Sequence, residues 1–333
     1  MKRIMVTGGA GFIGSAFVRY QLRAYPDVHI VNFDKLTYAG NLDNVREADP
    51  ARHIFVRGDI ADFDALYTAL NGCDAVVNFA AESHVDRSIL GASEFLDTNV
   101  RGVYNIVEAA RRLEVQHVLL VSTDEVYGSI SEGSFKETDR LNPRNPYSAA
   151  KAGGELVGMS YYHTFNVPVV VTRGSNTYGP YQYPEKVLPL FVTNALDNEP
   201  LPLYKGGERN VRDWLYVDDH ARGIDVALRR GTPGEVYNIA GGNERENITL
   251  TRKILALTGK DESLIKLVAD RPGHDRRYSI DAGKLRGLGW RSEMDWDQGV
   301  TETVHWYQEN EWWWRKIKSG EFREYYQRQY GNR

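Results

Sequence analysis

Residues 3 to 22 read RIMVTGGAGFIGSAFVRYQL, a short β-branched run that passes through glycines into an apolar pattern at helical spacing. Glycine permits a tight turn, lets backbone N–H groups approach a pyrophosphate and allows a helix to pack close to a strand. Gly8, Gly11 and Gly14 hold those positions, and Gly9, Gly11 and Gly14 also satisfy G-x-G-x-x-G. The next apolar run, HIVNFD, ends at Asp34, 20 residues after Gly14, where a carboxylate can accept from the hydroxyls of an adenosine ribose. That carboxylate repels a ribose phosphate and no Arg follows it at once, so the pattern predicts NAD in preference to NADP. Asp59, closing RGD, is a second acidic candidate, for the adenine amino group.

Further apolar runs stand at HIFVRGD, DAVVNFAA, HVLLVST and PVVVTRG, interleaved with helical stretches such as ASEFLDTNVRGVYNIVEAARRL. This alternation predicts an α/β fold, a Rossmann-type doubly wound parallel sheet with helices on both faces. After about residue 178 the chain turns to Pro, Gly and Tyr-rich stretches, YGPYQYPEKVLP and PLPLYKGGERNVRDW, which read as surface turns rather than buried strands. EVYNIAGG adds one more strand, and residues 248 to 333 read as short helices alternating with loops. The expected division is an NAD-binding domain of residues 1–178 plus 211–240 and a smaller, sequence-discontinuous α/β C-terminal substrate lobe of residues 179–210 plus 241–333. The aromatic tail HWYQENEWWWRKIKSGEFREYYQRQY mixes Glu among its basic residues, so it reads as a terminal amphipathic helix on the core and not as a nucleic-acid stacking surface.

Over 333 residues, 42% hydrophobic and 26% charged, the formal charge is −4, which lacks the basic footprint of a nucleic-acid binder. A single cysteine, Cys73, rules out an intrachain disulfide and a cysteine-based metal site, and its place at the mouth of an apolar run reads as a buried filler. The eight histidines show no metal-binding spacing, so no metal is expected. The chain enters a strand at once and has no apolar stretch of membrane-spanning length, from which a cytoplasmic protein without a leader is expected.

PYSAAKAGGEL puts Tyr147 and Lys151 on one face of a helix, one turn apart. A phenol with a pKa of about 10 is a poor base at neutral pH, but a neighbouring ammonium stabilises the phenolate, giving a base for a secondary alcohol as hydride leaves for NAD. STDEVYG, residues 122 to 128, follows HVLLV and delivers Thr123, Asp124 and Glu125 into a loop. Neighbouring side chains on an extended backbone point to opposite sides, so two separate jobs are expected of the carboxylates rather than one shared proton.

TGGAGFIG and YSAAK resemble the extended short-chain dehydrogenase/reductase family, and FAAESHVDRSI, STDEVYGS, NPYSAAKAG, YGPYQYPEK, LPLY, NVRDWLYVDDH and DRPGHDRRYSID resemble its dTDP-glucose 4,6-dehydratase branch, in order over nearly the whole chain. The resemblance implies oxidation of dTDP-glucose at C4, loss of water across C5 and C6, and return of hydride to C6, a lyase built on an internal oxidoreduction. It implies Glu125 as the base for the C5 proton, Asp124 as the acid for the C6 hydroxyl with a raised pKa, and Thr123 bonding the C4 oxygen beside Tyr147 and Lys151. Implied cofactor contacts are Gly8, Gly11, Phe12, Ile13, Gly14, Asp34, Lys35, Thr37, Asp59, Ile60, Ala80, Ala81, Ser83, Thr98, Tyr147 and Lys151. Implied substrate contacts are Ser83, Thr123, Asn176, Lys186, Pro202, Tyr204, Arg212, Asn247, Arg271 and His274, with Lys186, Arg212 and Arg271 suited to a diphosphate. His84 and Arg87 are further candidates. Where such enzymes usually read Cys-Ser-Asn-Asn-Tyr-Gly-Pro this chain has GSNTYGP, so Gly174 and Thr177 depart from the pattern and Thr177 has a shorter reach for the cofactor contact implied there.

The rivals are a UDP-hexose 4-epimerase, which has no use for the Asp124–Glu125 pair, a UDP-glucose 4,6-dehydratase, and a non-enzymatic NAD sensor, which has no need of Tyr147 and Lys151. The resemblance also implies a homodimer through helices near residues 99 to 112 and 147 to 165.

Overall fold

The structure, a computed structural model, describes residues 1–318 and 321–330. Its first half runs β1 (Arg3–Thr7), α1 (Phe12–Ala24), β2 (His29–Asp34), β3 (His53–Arg57), α2 (Phe63–Leu70), β4 (Ala75–Asn78), α3 (Val85–Leu90), α4 (Ser93–Leu96), α5 (Val103–Arg112), β5 (His117–Thr123), α6 (Pro146–Phe165) and β6 (Val169–Gly174). The second half runs β7 (Asn176–Tyr178), α7 (Val187–Leu196), β8 (Leu201–Tyr204), β9 (Val211–Tyr216), α8 (Val217–Arg230), β10 (Val236–Ile239), β11 (Glu244–Glu246), α9 (Asn247–Thr258), β12 (Ile265–Val268), α10 (Gly283–Gly287), α11 (Trp296–Glu309), α12 (Glu311–Ile317) and α13 (Glu321–Tyr330).

Seven strands form one parallel sheet in the order β10-β6-β5-β4-β1-β2-β3, and all seven are the apolar runs read from sequence. Alternate residues of each strand feed opposite faces. Ile4, Val6, Val77 and Leu119 join α1 and α8 in one core, while Met5, Val76, Val118 and Leu120 join α2 and α5 in another. A third core holds the smaller lobe, where Trp313, Trp314 and Tyr307 are buried with Leu190, Phe191, Leu203 and Trp214. The aromatic tail packs inward as expected, but as three helices, α11 to α13, rather than one.

One of the stretches read as surface turns, PLPLYKGGERNVRDW, holds two buried strands instead. β8 pairs in parallel with β12, Leu201 opposite Ile265, and β9 is the middle strand of a three-stranded sheet between β7 and β11. The partners lie some distance away in sequence, so local turn chemistry hides them; a two-stranded sheet also leaves β8 a free edge that tolerates Pro202. The chain crosses between cores repeatedly: Leu215 and Val217 pack with the large sheet while Trp214 and Tyr216 pack with the lobe. Ile280, Ala282, Leu285 and Trp290, within the span assigned to the lobe, also pack against the large sheet.

The long helix read from 92 to 113 is interrupted. Residues Asp97–Gly102 form a π-helical turn between α4 and α5. Its Asn99 is buried and bridges the backbone of Glu82, accepting from the N–H at 3.0 Å and donating to the carbonyl at 2.9 Å. That bridge fixes the loop after β4, where Ala80, Ala81 and Ser83 stand. Among the described residues no helix is long and apolar enough to cross a membrane.

Candidate active site

A cleft of about 420 Å³ lies outside the C-terminal ends of the parallel strands and reaches the smaller lobe. It brings together all the implied catalytic, cofactor and substrate residues and His84, whereas Arg87 lies outside its lining. In open α/β sheets this edge, where strand order reverses, is where ligands bind.

At one end the glycine turn is shaped for a phosphate. Gly8 has φ +68°, and a Cβ at Gly14 would stand 2.3 Å from the Gly8 carbonyl oxygen. Helix α1 begins at Gly11 without a side-chain cap, so the first-turn amides of Phe12, Ile13 and Gly14 have no intrahelical carbonyl to meet and remain for an anion. Asp34 ties this turn to the end of β2: one carboxylate oxygen accepts from Ala10 N at 2.9 Å and the other from Leu36 N at 2.8 Å. Each oxygen keeps a lone pair for a ribose hydroxyl. Lys35, the cation next to Asp34, is held 2.7 Å from Asp59 and so does not offset the Asp34 charge. These residues fit the adenosine end and the pyrophosphate of a dinucleotide.

At the other end, β5 delivers the catalytic candidates. Residues Asp124–Tyr127 form a 3-10 turn capped by Thr123, whose Oγ1 accepts from Glu125 N at 3.3 Å. The extended geometry expected for the pair therefore does not hold. Successive side chains in such a turn stand about 120° apart, so both carboxylates address the cleft from different sides. Asp124 is 3% exposed, and its Oδ1 accepts from Thr123 Oγ1 at 3.2 Å while Oδ2 is buried without a partner. Burial and the neighbouring Glu125 push its carboxyl well above the usual range, which keeps it protonated. Glu125 is steadied by Asn145 Nδ2 at 3.4 Å.

Asn145 also caps α6, which carries Tyr147 and Lys151, so one side chain sets both the base and the phenol. Burial, then Glu125, pushes the Tyr147 phenol up, and Lys151, lowered by burial to about 8, donates from Nζ to Val121 O at 2.7 Å. Burial beside two carboxyl groups, and not the ammonium, governs the phenol here. Ser122, on the same strand end, turns away: its hydroxyl is taken by the buried Glu155, which pairs with Arg173.

The lobe closes the cleft with cations. Arg212 lies over the Tyr278 ring at 4.3 Å and donates to the carbonyls of Val211 and Asp275 at 2.8 Å each. Arg271 reaches Asp86 at 3.5 Å, and its buried Nε has no partner. Lys186 Nζ donates to Ser83 O at 2.8 Å and keeps two further donors. Burial lowers both Lys186 and Arg212, and each is lowered further by the charge of Arg271. Three cations sharing a buried region call for an anion. Asn247 donates to Gly207 O at 3.0 Å, His274 meets Asp270 at 2.7 Å, and Asn176 Oδ1 is buried without a partner.

Sequence reasoning missed Glu185. It is buried in the cleft wall, pairs with Arg87 at 2.9 Å and accepts from Tyr38 OH at 3.1 Å. The Arg87 guanidinium is sandwiched between the rings of Tyr38 and Tyr325, 3.8 and 4.2 Å away. The signal was the acidic residue in YPEK, legible only with its distant partner. Tyr278, Tyr330 and His220 were also missed as cleft residues. Among the described residues no cluster of three or more His, Cys, Asp or Glu could hold a metal ion.

Residues 5–303 match the family model described as GDP-mannose 4,6 dehydratase. A dTDP-glucose 4,6-dehydratase of Streptomyces niveus is 48% identical, over 95% of this chain and 96% of its own. The solved structure of DesIV, a dTDP-glucose 4,6-dehydratase from Streptomyces venezuelae with NAD bound, superposes at TM-score 0.92 with 52% identity, covering 95% of this chain and 100% of that one. A Thermus thermophilus UDP-glucose 4-epimerase in complex with NAD is more distant, at 29% identity and TM-score 0.86 over 92% of this chain and 99% of that one. A match across so much of the sequence, and over a site with this geometry, means that the chain belongs to the GDP-mannose 4,6 dehydratase family and stands within it beside the dTDP-glucose 4,6-dehydratases.

Proposed function

We propose that this chain dehydrates dTDP-glucose to dTDP-4-keto-6-deoxyglucose. The observation that carries the reading is the pair of carboxyl groups in one turn, Asp124 buried and pushed up by that burial, Glu125 held by Asn145, with the Tyr147 phenol in the same cleft. An epimerase needs neither.

NAD, which the glycine turn and Asp34 would hold, would supply the oxidant for C4 of the sugar, the hydride for C6 and, in its oxidised form, a positive charge that favours a phenolate. As the phenolate, favoured by the Lys151 ammonium and that charge against the effect of burial, Tyr147 would accept the proton of the C4 hydroxyl as the hydride leaves. The resulting C4 ketone acidifies the C5 proton, which Glu125 removes. Asp124 gives its proton to the C6 hydroxyl, which departs as water. Glu125 then returns its proton to C5. Lys186, Arg212 and Arg271 grip the diphosphate, and Pro202 and Tyr204 lie along the base and its sugar.

Incubating the protein with dTDP-glucose or with UDP-glucose, and following product mass, tests the reading. The expected result is loss of one water from the dTDP sugar. An unchanged mass with conversion of UDP-glucose to its galactose isomer would instead make the protein an epimerase.

The finer assignments follow the same reading: residues 1–178 plus 211–240 as the NAD domain, the remainder as the substrate lobe apart from the segment of Ile280 to Trp290 that packs with the large sheet, and a homodimer. Support for the dimer is an exposed apolar stripe on α3 to α6, with Leu90, Leu96, Tyr104, Leu156 and Phe165 each between 45% and 64% exposed. Apolar area of this extent on adjacent helices suits a second copy of the same surface. Leu156→Glu is expected to give a monomer by light scattering with an unchanged far-ultraviolet spectrum; a native-size dimer would place the interface elsewhere.

A further inference from the structure

Gly174 and Thr177, the two positions that depart from the pattern the resemblance implies, meet at one side chain, His220 at the start of α8. A Cβ at Gly174 would fall 2.5 Å from His220 Cε1 and 2.6 Å from Nε2, so the imidazole sits where a side chain at 174 would otherwise be. Thr177 Oγ1 is 2.8 Å from His220 Nδ1 and 3.1 Å from Ser175 O. A carbonyl only accepts, so with the hydroxyl proton donated to Ser175 O the hydroxyl accepts from Nδ1–H, and Nε2 is then the nitrogen with the lone pair.

This lone pair is buried and has no partner, on a residue 2% exposed that lines the cleft. Gly174 pairs with Thr123 across the β5–β6 ladder, which places the imidazole about one strand spacing, ~4.8 Å, from the catalytic strand end. Asp34 marks the adenosine end four strands away, so His220 stands at the nicotinamide end. Burial lowers the imidazole to about 3, which keeps it neutral beside a pyridinium.

We propose that His220, seated over Gly174 and oriented by Thr177, accepts a hydrogen bond at Nε2 from the carboxamide N–H of the nicotinamide. The inference rests on the cofactor reading above.

The test compares binding of NAD with that of 3-acetylpyridine adenine dinucleotide, whose methyl ketone has no N–H, after bound nucleotide has been exchanged out of the purified protein. The native chain is expected to prefer NAD by about tenfold, the size of one neutral hydrogen bond in a buried site. His220→Phe is expected to bind the two alike. Thr177→Val, which frees the ring to take the other tautomer, is expected to erode the preference, and it decides the matter should His220→Phe fail to fold. A preference retained by the variant that folds, or an equal loss for both dinucleotides, would overturn the assignment. Binding of neither dinucleotide by the native chain would sink the cofactor reading itself, and this contact with it.

Discussion

Glu125→Gln is expected to oxidise its sugar and then stop. The amide keeps the bond from Asn145 but cannot take the C5 proton, so formation of the 4-keto-6-deoxy product falls by about 10² to 10⁴-fold, the range contributed by one positioned proton-transfer group. Reduced nicotinamide absorbance then builds up on the protein, because Tyr147 and Lys151 still carry out the first step while hydride has no acceptor at C6. Exchange of the C5 hydrogen with heavy water is expected to vanish in parallel. Normal product release by this variant, with no accumulated absorbance, would remove Glu125 from the role.

Tyr147→Phe is expected to fail one step earlier. The phenol is 8% exposed, and the ring packs edge-on to Phe95 at 6.3 Å, so the phenyl ring fits the same space and the fold survives. Without the hydroxyl nothing takes the C4 proton, and turnover falls by about 10³-fold or more, within the same range for a lost acid–base group. Here no reduced nicotinamide absorbance appears at any time. Opposite absorbance signatures from two variants with similar loss of turnover separate oxidation from elimination, which loss of activity alone cannot do. Accumulation of reduced cofactor in Tyr147→Phe would assign the first proton transfer to another group.

What could be read in advance was local. The glycine turn, Asp34 at the end of β2 and the Tyr147–Lys151 spacing each need only a strand and a helix in succession, and the seven-stranded sheet follows from short continuous apolar runs interleaved with helical stretches. β8, β9 and β12 were illegible because their pairing partners lie far along the chain, and Pro202 and the neighbouring glycines argued for turns. The 3-10 turn at Asp124 was hidden for a related reason: an apolar strand gives no notice of how its end will bend. Glu185 and His220 became visible only when folding set them against Arg87, Tyr38, Gly174 and Thr177. Burial also reversed one expectation drawn from chemistry, since a phenol beside an ammonium was expected to be lowered and is instead pushed up.

The π-helical turn at Asp97–Gly102 has a bearing on how this protein can vary. A π turn carries one residue more than an α turn over the same span. Deleting that residue would let the turn close into an ordinary spiral while the helices on either side keep their orientation, so the change would fall on the turn itself. Thr98 would leave the cleft and Asn99 would release the backbone of Glu82, although no apolar contact of the sheet need be lost. This stretch therefore accepts exchange of one side chain for another far more readily than it accepts a change in its own length.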